Sequence, residues 1–199
     1  MASLHGHDAV VRLLLARSDV DVNSKEKDQW TPLHVASFHD YEAVVQLLLV
    51  RGDVDVNSKD KDGRTPLYIA SENSYEAVVR LLLARSDVGV NYKENGGQSP
   101  LWVASQHGND AVVRLLLNRS DVDVNSKDED GWSPLLVASN NVHEAVLRLL
   151  LARSDVNINS KDDTGWSPLW VRPVMATRRV TEDEFHGTLL ILNGFVCSG

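Results

Sequence analysis

His5, His39 and His107 share one column of a 34-residue spacing, and Asn73 and Asn141 occupy the same column in the other versions. Aligned imidazoles suggest zinc, but the distances argue against it. One zinc draws its nitrogens to about 2 Å, whereas helices packed side by side stand about 8–10 Å apart. These histidines lie one to three spacings from each other, so a polar ladder at a turn is expected. A second constellation is "DVDVNSKDKDGR", with oxygen side chains at Asp53, Asp55 and Asn57. A calcium loop of that length needs glycine at its sixth position and a bidentate glutamate at its twelfth. Here the sixth positions are Ser24, Ser58, Tyr92, Ser126 and Ser160, and the twelfth are Trp30, Arg64, Gln98, Trp132 and Trp166. The valines between the oxygens fit an extended arm whose alternate residues pack inward. Cys197 has no cysteine-protease context, and no glycine-rich phosphate loop or His–carboxylate pair stands out. The expectation is a chain with no enzymatic activity, cofactor or metal.

The elements that position these residues repeat. Copies run 31–64, 65–98, 99–132 and 133–166, and residues 1–30 continue the series backwards without its opening "TPLH". A fifth opening, "SPLWV", begins at Ser167 and then reads Arg172-Pro173 where the other copies read Ala-Ser. In each copy a Thr or Ser followed by Pro marks a helix start, since the hydroxyl caps free N–H groups and proline suits the first helical position. As caps, these Ser-Pro and Thr-Pro pairs are expected to be buried rather than open to a kinase. Leu33 and Ala36, with their equivalents Leu67 and Ala70, Leu101 and Ala104, and Leu135 and Ala138, are expected to bury one side of this short helix.

The second helix, as in "YEAVVRLLLAR", has a wide apolar face suited to packing between others. An acid opens it and an arginine closes it (Arg17, Arg51, Arg85, Arg119 and Arg153), complementing the helix dipole. Asp8–Arg12, Glu76–Arg80, Asp110–Arg114 and Glu144–Arg148 have the spacing of ion pairs one turn apart. The alternating stretch that follows predicts short extended arms around a tight turn at Asp62-Gly63, Gly96-Gly97, Asp130-Gly131 or Thr164-Gly165. Gln29 stands in the glycine column of the first such turn, which should be strained or of another type.

These motifs resemble the ankyrin repeat. "DGRTPLYIA", "EAVVRLLL" and "DVNSKD" follow its pattern in order, and the resemblance covers residues 1–171. A 34-residue period alone would also suit tetratricopeptide repeats, which lack the Thr-Pro-Leu start and the extended turn segment. The resemblance implies an all-α repeat solenoid, ankyrin-like, with a helix-turn-helix plus an extended hairpin turn per copy. Departures are informative. The family's Gly-His pair between the helices reads Gly6-His7, Asp40-Tyr41, Ser74-Tyr75, Gly108-Asn109 and Val142-His143. A β-branched residue is costly at positive φ, so the copy holding Val142 is expected to turn differently. After the second helix the family's glycine survives only as Gly52, with Ser18, Ser86, Ser120 and Ser154 elsewhere. One extra loop residue is expected to remove the need for a left-handed conformation there. His34 occupies the column in which the family ties the helix start together. Tyr68, Trp102, Leu136 and Trp170 fill it in the other copies, where apolar packing is expected to take over.

The 199 residues carry a formal charge of −8, spread over the copies rather than gathered in a tail. That balance argues against nucleic acid. No apolar run approaches the roughly 18 residues of a membrane span, and the N-terminus has no signal-peptide pattern. A single cysteine suits a reducing compartment, so the expected location is cytoplasmic, with the nucleus also open. Asn118-Arg119-Ser120 is then a chance glycosylation motif.

The resemblance implies binding of a protein partner through the turn tips and the inner face of the first helices. The tips "EKDQW", "DKDGR", "ENGGQ", "DEDGW" and "DDTGW" differ while the scaffold hardly changes. Candidate contact residues are Trp30, Lys61, Arg64, Glu94, Gln98, Glu129, Trp132 and Trp166 at the tips, with Phe38, Glu72, Gln106 and Asn140 at the helix ends. Trp30, Trp132 and Trp166 serve equally well as binding anchors or as packing between turns. For Trp102 and Trp170 packing is favoured. A pattern that opens inside a copy at Met1 raises a second expectation, a truncated fragment of a larger multidomain ankyrin-containing sensor or signalling protein. In the degenerate tail 172–199, Pro173 is expected to break the fifth copy. "TEDEFHGTLLILNG" carries a capping-box start at Thr181 and Glu184, which leaves two expectations: a capping helix near 182–193, or a tail that is disordered or not the natural continuation of the array.

Overall fold

A computed structural model describes residues 7–170. His5, Gly6, Cys197, Pro173 and the expected capping helix lie outside the described residues. Nine helices run through the described part: α1 (Asp8–Leu15), α2 (Pro32–Phe38), α3 (Glu42–Leu49), α4 (Pro66–Glu72), α5 (Glu76–Leu83), α6 (Pro100–His107), α7 (Asp110–Leu117), α8 (Pro134–Asn140) and α9 (Glu144–Leu151). First helices α2, α4, α6 and α8 stack on one another, and second helices α1, α3, α5, α7 and α9 form the parallel stack behind them.

Each first helix starts where the hydroxyl–proline pair places it. Thr31, Thr65, Ser99 and Ser133 are extended and accept the backbone N–H three residues on, and proline fills the first turn. The caps are buried, and Leu33, Leu67, Leu101 and the alanine column are almost fully enclosed. A small residue at Ala36, Ala70, Ala104 and Ala138 is what lets helices of adjacent copies meet. The inner second helices α3, α5 and α7 bury Val44, Val45 and Leu48 and their equivalents between the two stacks, and α9 buries Val146 and Leu150.

Between the helices the left-handed position is kept in every described copy. Asp40, Ser74, Gly108 and Val142 have φ of 56°, 61°, 72° and 59°. The expected different turn at Val142 does not occur. The amide of the next residue bonds to the alanine carbonyl in all four copies (Tyr41 to Ala36, Tyr75 to Ala70, Asn109 to Ala104, His143 to Ala138), and both flanking helices are fixed by packing. Val142 therefore takes a conformation costly for a β-branched side chain. Gln29 likewise keeps the same turn as its glycine equivalents, at φ 65° against 79–88° for Gly63, Gly97, Gly131 and Gly165. After the second helices, by contrast, neither the serines nor Gly52 adopts positive φ, as the longer loop predicts.

The arms form hydrogen-bonded turns rather than assigned strands among the described residues. In each, the residue before the tip donates to the residue after it, as Asp60 N–H does to Arg64 O at 3.0 Å. Successive tips are stitched together by single backbone bonds, Lys61 to Asp28, Asn95 to Asp62, Glu129 to Gly96 and Asp163 to Asp130.

Candidate functional site

Three side-chain ladders hold the copies in register. Asn23, Asn57, Asn91 and Asn125 each donate to a carbonyl of the next copy at 2.6–2.7 Å. Each also accepts an amide two residues beyond that carbonyl at 2.7–2.8 Å. Lys25, Lys59, Lys93 and Lys127 reach the carbonyl of the next lysine at 2.6–3.0 Å. Arg51, Arg85, Arg119 and Arg153 point the other way, donating Nη1 to the last carbonyls of the preceding second helix at 3.0–3.3 Å. Each also pairs with the aspartate two residues on, and the hydrogen bonds from the guanidinium hold Asp53, Asp87, Asp121 and Asp155 below the usual carboxylate range. These arginines thus cap the neighbouring copy's helix more than their own. Of the expected pairs one turn apart, Glu76–Arg80, Asp110–Arg114 (3.9 Å) and Glu144–Arg148 (2.5 Å) form, and Asp8–Arg12 does not.

At each tip an acidic side chain braces the turn from within. Glu26, Asp60, Glu94, Asp128 and Asp162 accept backbone amides of residues two or four further on. With main chain and brace shared, the side chains at the tips point outward from one repeated backbone.

On that backbone the candidate residues form rows across the array. In the first row Trp30 packs edge-on to Phe38, 5.2 Å between centroids, with His34 between them along the helix. Phe38 is exposed and continues to His39, which stacks on Tyr41 at 5.3 Å. The expected polar ladder in the His39 column is partial: Asn73 bonds within its own helix to Ile69 O, whereas Asn141 reaches Gln106 O of the preceding copy. In the second row half-buried Arg64 pairs with Asp60 and Asp62 at 2.9 and 3.0 Å and sits near Glu72, while Lys61 bridges to Asp28 of the previous tip at 2.8 Å. In the third row Tyr68 donates to the Gln98 side chain at 3.0 Å, Gln98 N–H donates to Glu94, and Gln106 is half-buried. Glu129 stands exposed on the fourth tip. Trp132, Asn140 and Trp166 line one shallow groove with Leu136, Pro168 and Trp170.

The tryptophans divide. Trp102 is buried, as expected, and Trp132 lies half-buried against its cluster with Tyr68, Val103 and Val137. Trp170, expected to pack, is instead exposed and meets Trp166 edge-on at 6.0 Å. No following copy lies over it among the described residues.

Apolar packing does not replace the tie of the His34 column at Tyr68 and Trp102, which keep polar bonds there. His34 Nδ1 takes the Thr31 N–H (3.2 Å), which leaves Nε2 to donate to Arg64 O at 3.1 Å. Burial holds this imidazole below its ordinary pKa, opposed by the Arg64 carbonyl. Trp102 Nε1 makes the equivalent bond to Trp132 O at 2.9 Å. Tyr68 keeps a polar bond through Gln98, so Leu136 alone of the buried residues in this column is purely apolar. The signal was an N–H or O–H at similar reach in three different side chains.

Among the described residues no helix is long and apolar enough to cross a membrane, and no group of three His, Cys, Asp or Glu side chains converges. No curated protein matches the chain. The family model for ankyrin repeats, three copies, matches residues 1–94, 47–128 and 101–171. Ankyrin repeats are generally protein-interaction modules and typically lack enzymatic activity. By that match, the repeated caps and the stacked helix pairs, the chain belongs to the ankyrin-repeat family.

Proposed function

We propose that this chain is a non-enzymatic scaffold that binds a protein partner across the tips and the inner face of its first helices. The observation that carries this reading is the set of rows on one repeated backbone. Aromatic side chains stand at Trp30 and Phe38 on one side and at Trp132, Trp166 and Trp170 on the other. Between them lie Arg64, Glu72, Gln98 and Gln106. At about 10 Å per copy, the two aromatic clusters are about 30 Å apart, a span suited to an interface of standard size with apolar anchors at both sides of a polar middle.

The test is capture of partners on the immobilised chain, followed by calorimetric titration of the captured protein. Phe38→Ala should weaken binding by about 1–3 kcal/mol while leaving the unfolding midpoint nearly unchanged, because Phe38 contacts aromatic neighbours at the surface rather than the core. Undiminished affinity in Phe38→Ala and in Arg64→Ala together would refute this surface as the binding site.

A further inference from the structure

The two ends of the described array expose positions that inner copies bury. Val10 is 46% exposed where Val44 is 1%, and Leu14 is exposed where Leu48 is buried beneath its own first helix. At the other end Leu169 is 91% exposed where Leu135 is 3%, and Ile158 is exposed where Val124 is buried. These are different halves of one repeat. Val10 and Leu14 lie on the second helix α1, while Leu169 lies in a first-helix start that makes one turn, Trp170 N–H to Ser167 O. In register, residues 167–171 fill the first five columns of a copy, and Ala2-Ser3 stand in the next two.

The ladders end in the same complementary way. Asn159 and Lys161 occupy the rungs whose earlier members, such as Asn125 and Lys127, bond to the backbone of the following copy. Among the described residues their side chains have no such backbone to meet. Arg17 pairs with Asp19, and among the described residues it has no counterpart of the carbonyls that Arg51 takes from Leu15 and Arg17.

We propose that the C-terminal end of this array docks on the N-terminal end of a second copy of the chain, completing one repeat between them. Continuing the 34-residue register across the junction, Leu169 covers Val10 and Leu14 of the second copy. Asn159 bridges that copy's Asp19 carbonyl and Asp21 amide, and its Arg17 reaches back to the carbonyl of Leu151. Unlike contacts meet, so the interface is heterologous. A dimer retains one free head and one free tail, and growth continues as a linear stack rather than a closed ring.

Sedimentation velocity over a concentration series tests this with the full 199-residue chain. The expected result is a rise from the 22.0 kDa monomer through dimers to longer stacks. A head-blocked variant, Val10→Asp with Leu14→Asp, and a tail-blocked variant, Leu169→Asp with Ile158→Asp, should each stay monomeric alone. Mixed, they should give one heterodimer and nothing longer, because only one competent head and one competent tail remain. Circular dichroism checks that both variants stay folded; if either is not, Asn159→Ala with Lys161→Ala serves, with association weakened roughly tenfold or more. A wild-type chain that is monomeric throughout would overturn the proposal, since its ends would then be covered by its own segments or left solvated. Association that persists in either blocked variant alone, or a mixture that stays monomeric, would overturn it as well.

Discussion

Replacing Val142 with glycine should stabilise the protein. Val142 holds φ at +59°, where an L-residue pays about 1–2 kcal/mol, with a β-branched side chain toward the upper end. Glycine removes that cost and adds about 0.4–1 kcal/mol of unfolded-chain entropy. The valine side chain contributes little in return, being 66% exposed. The net gain is about 1 kcal/mol, or about 2–4 °C in Tm for a chain of this size. Urea unfolding followed by far-ultraviolet circular dichroism reads it as a higher midpoint at unchanged slope. Ser74→Gly and Asp40→Gly, at the same column, should gain less, because neither side chain is β-branched and Asp tolerates the left-handed region. The reverse change, Gly108→Val, should cost more than Val142→Gly gains: a Cβ there would lie 2.6 Å from Nδ1 of His143, whose ring is held by Gln106 O at 2.9 Å. A Val142→Gly midpoint equal to or below the wild type, at the same slope, would refute the claim that this turn stores strain.

The ladder rungs should differ by position rather than by residue type. Asn125→Ala removes two bonds of 2.7 Å to the next copy and should cost about 1–2 kcal/mol; Asn159→Ala, at a concentration where the chain is monomeric, should cost no more than about 0.5 kcal/mol, and equal costs would discount the ladder. His34 should make stability depend on pH. Its folded pKa is lowered by burial, so the unfolded chain binds the proton more readily; the contribution is present above the unfolded value of about 6.5 and is lost as pH falls below it. Urea midpoints at pH 8 and pH 5 should therefore converge more closely in His34→Leu, the residue type that serves at position 136, than in the wild type. Trp102→Phe should lower the unfolding free energy by about 1 kcal/mol or somewhat more, read as a lower urea midpoint, through loss of the indole N–H bond to Trp132 O.

Local signals carried most of the architecture, because capping, helix periodicity and turn chemistry act within a few residues. Thr31, Thr65, Ser99 and Ser133 cap as their Thr-Pro and Ser-Pro pairs predict. Local preference was overruled at Val142, whose residue type argued for a different turn, and at Gln29 the first of the two expected outcomes, a strained turn of the same type, is the one found. The packed helices and stitched tips on either side outweigh a penalty of one or two kcal/mol. The ladders were hidden for a different reason. Asn57, Lys59 and Arg85 look like solvated polar residues along the chain, and their partners lie 30–36 residues away. Only the register of the stack brings them to a carbonyl. Exposure at Trp170 depends similarly on a neighbouring copy, which the local "SPLWV" it shares with Trp102 does not specify.

The way the tips are held explains why their outer residues are free to differ. Each turn is closed by a main-chain bond, braced by an inward carboxylate and joined to the next tip by another main-chain bond. None of these bonds uses the outward side chain at positions such as Lys61, Asn95, Glu129 or Asp163 as an essential partner. Lys61 takes a salt bridge to Asp28, and Asn95 donates to Lys61 O at 3.2 Å, but the same backbone link forms at Glu129 and Asp163 with other side chains in place. Substitution there changes charge and shape without moving the turn. The Trp30 column is more constrained, because its amide is held by the brace and its indole or guanidinium lies partly on the array. Variation at the tips and anchoring at their bases are thus separate roles on one backbone: the outer positions change charge freely, while the base column, Trp30, Arg64, Gln98, Trp132 and Trp166, is held against the array by its braced amides.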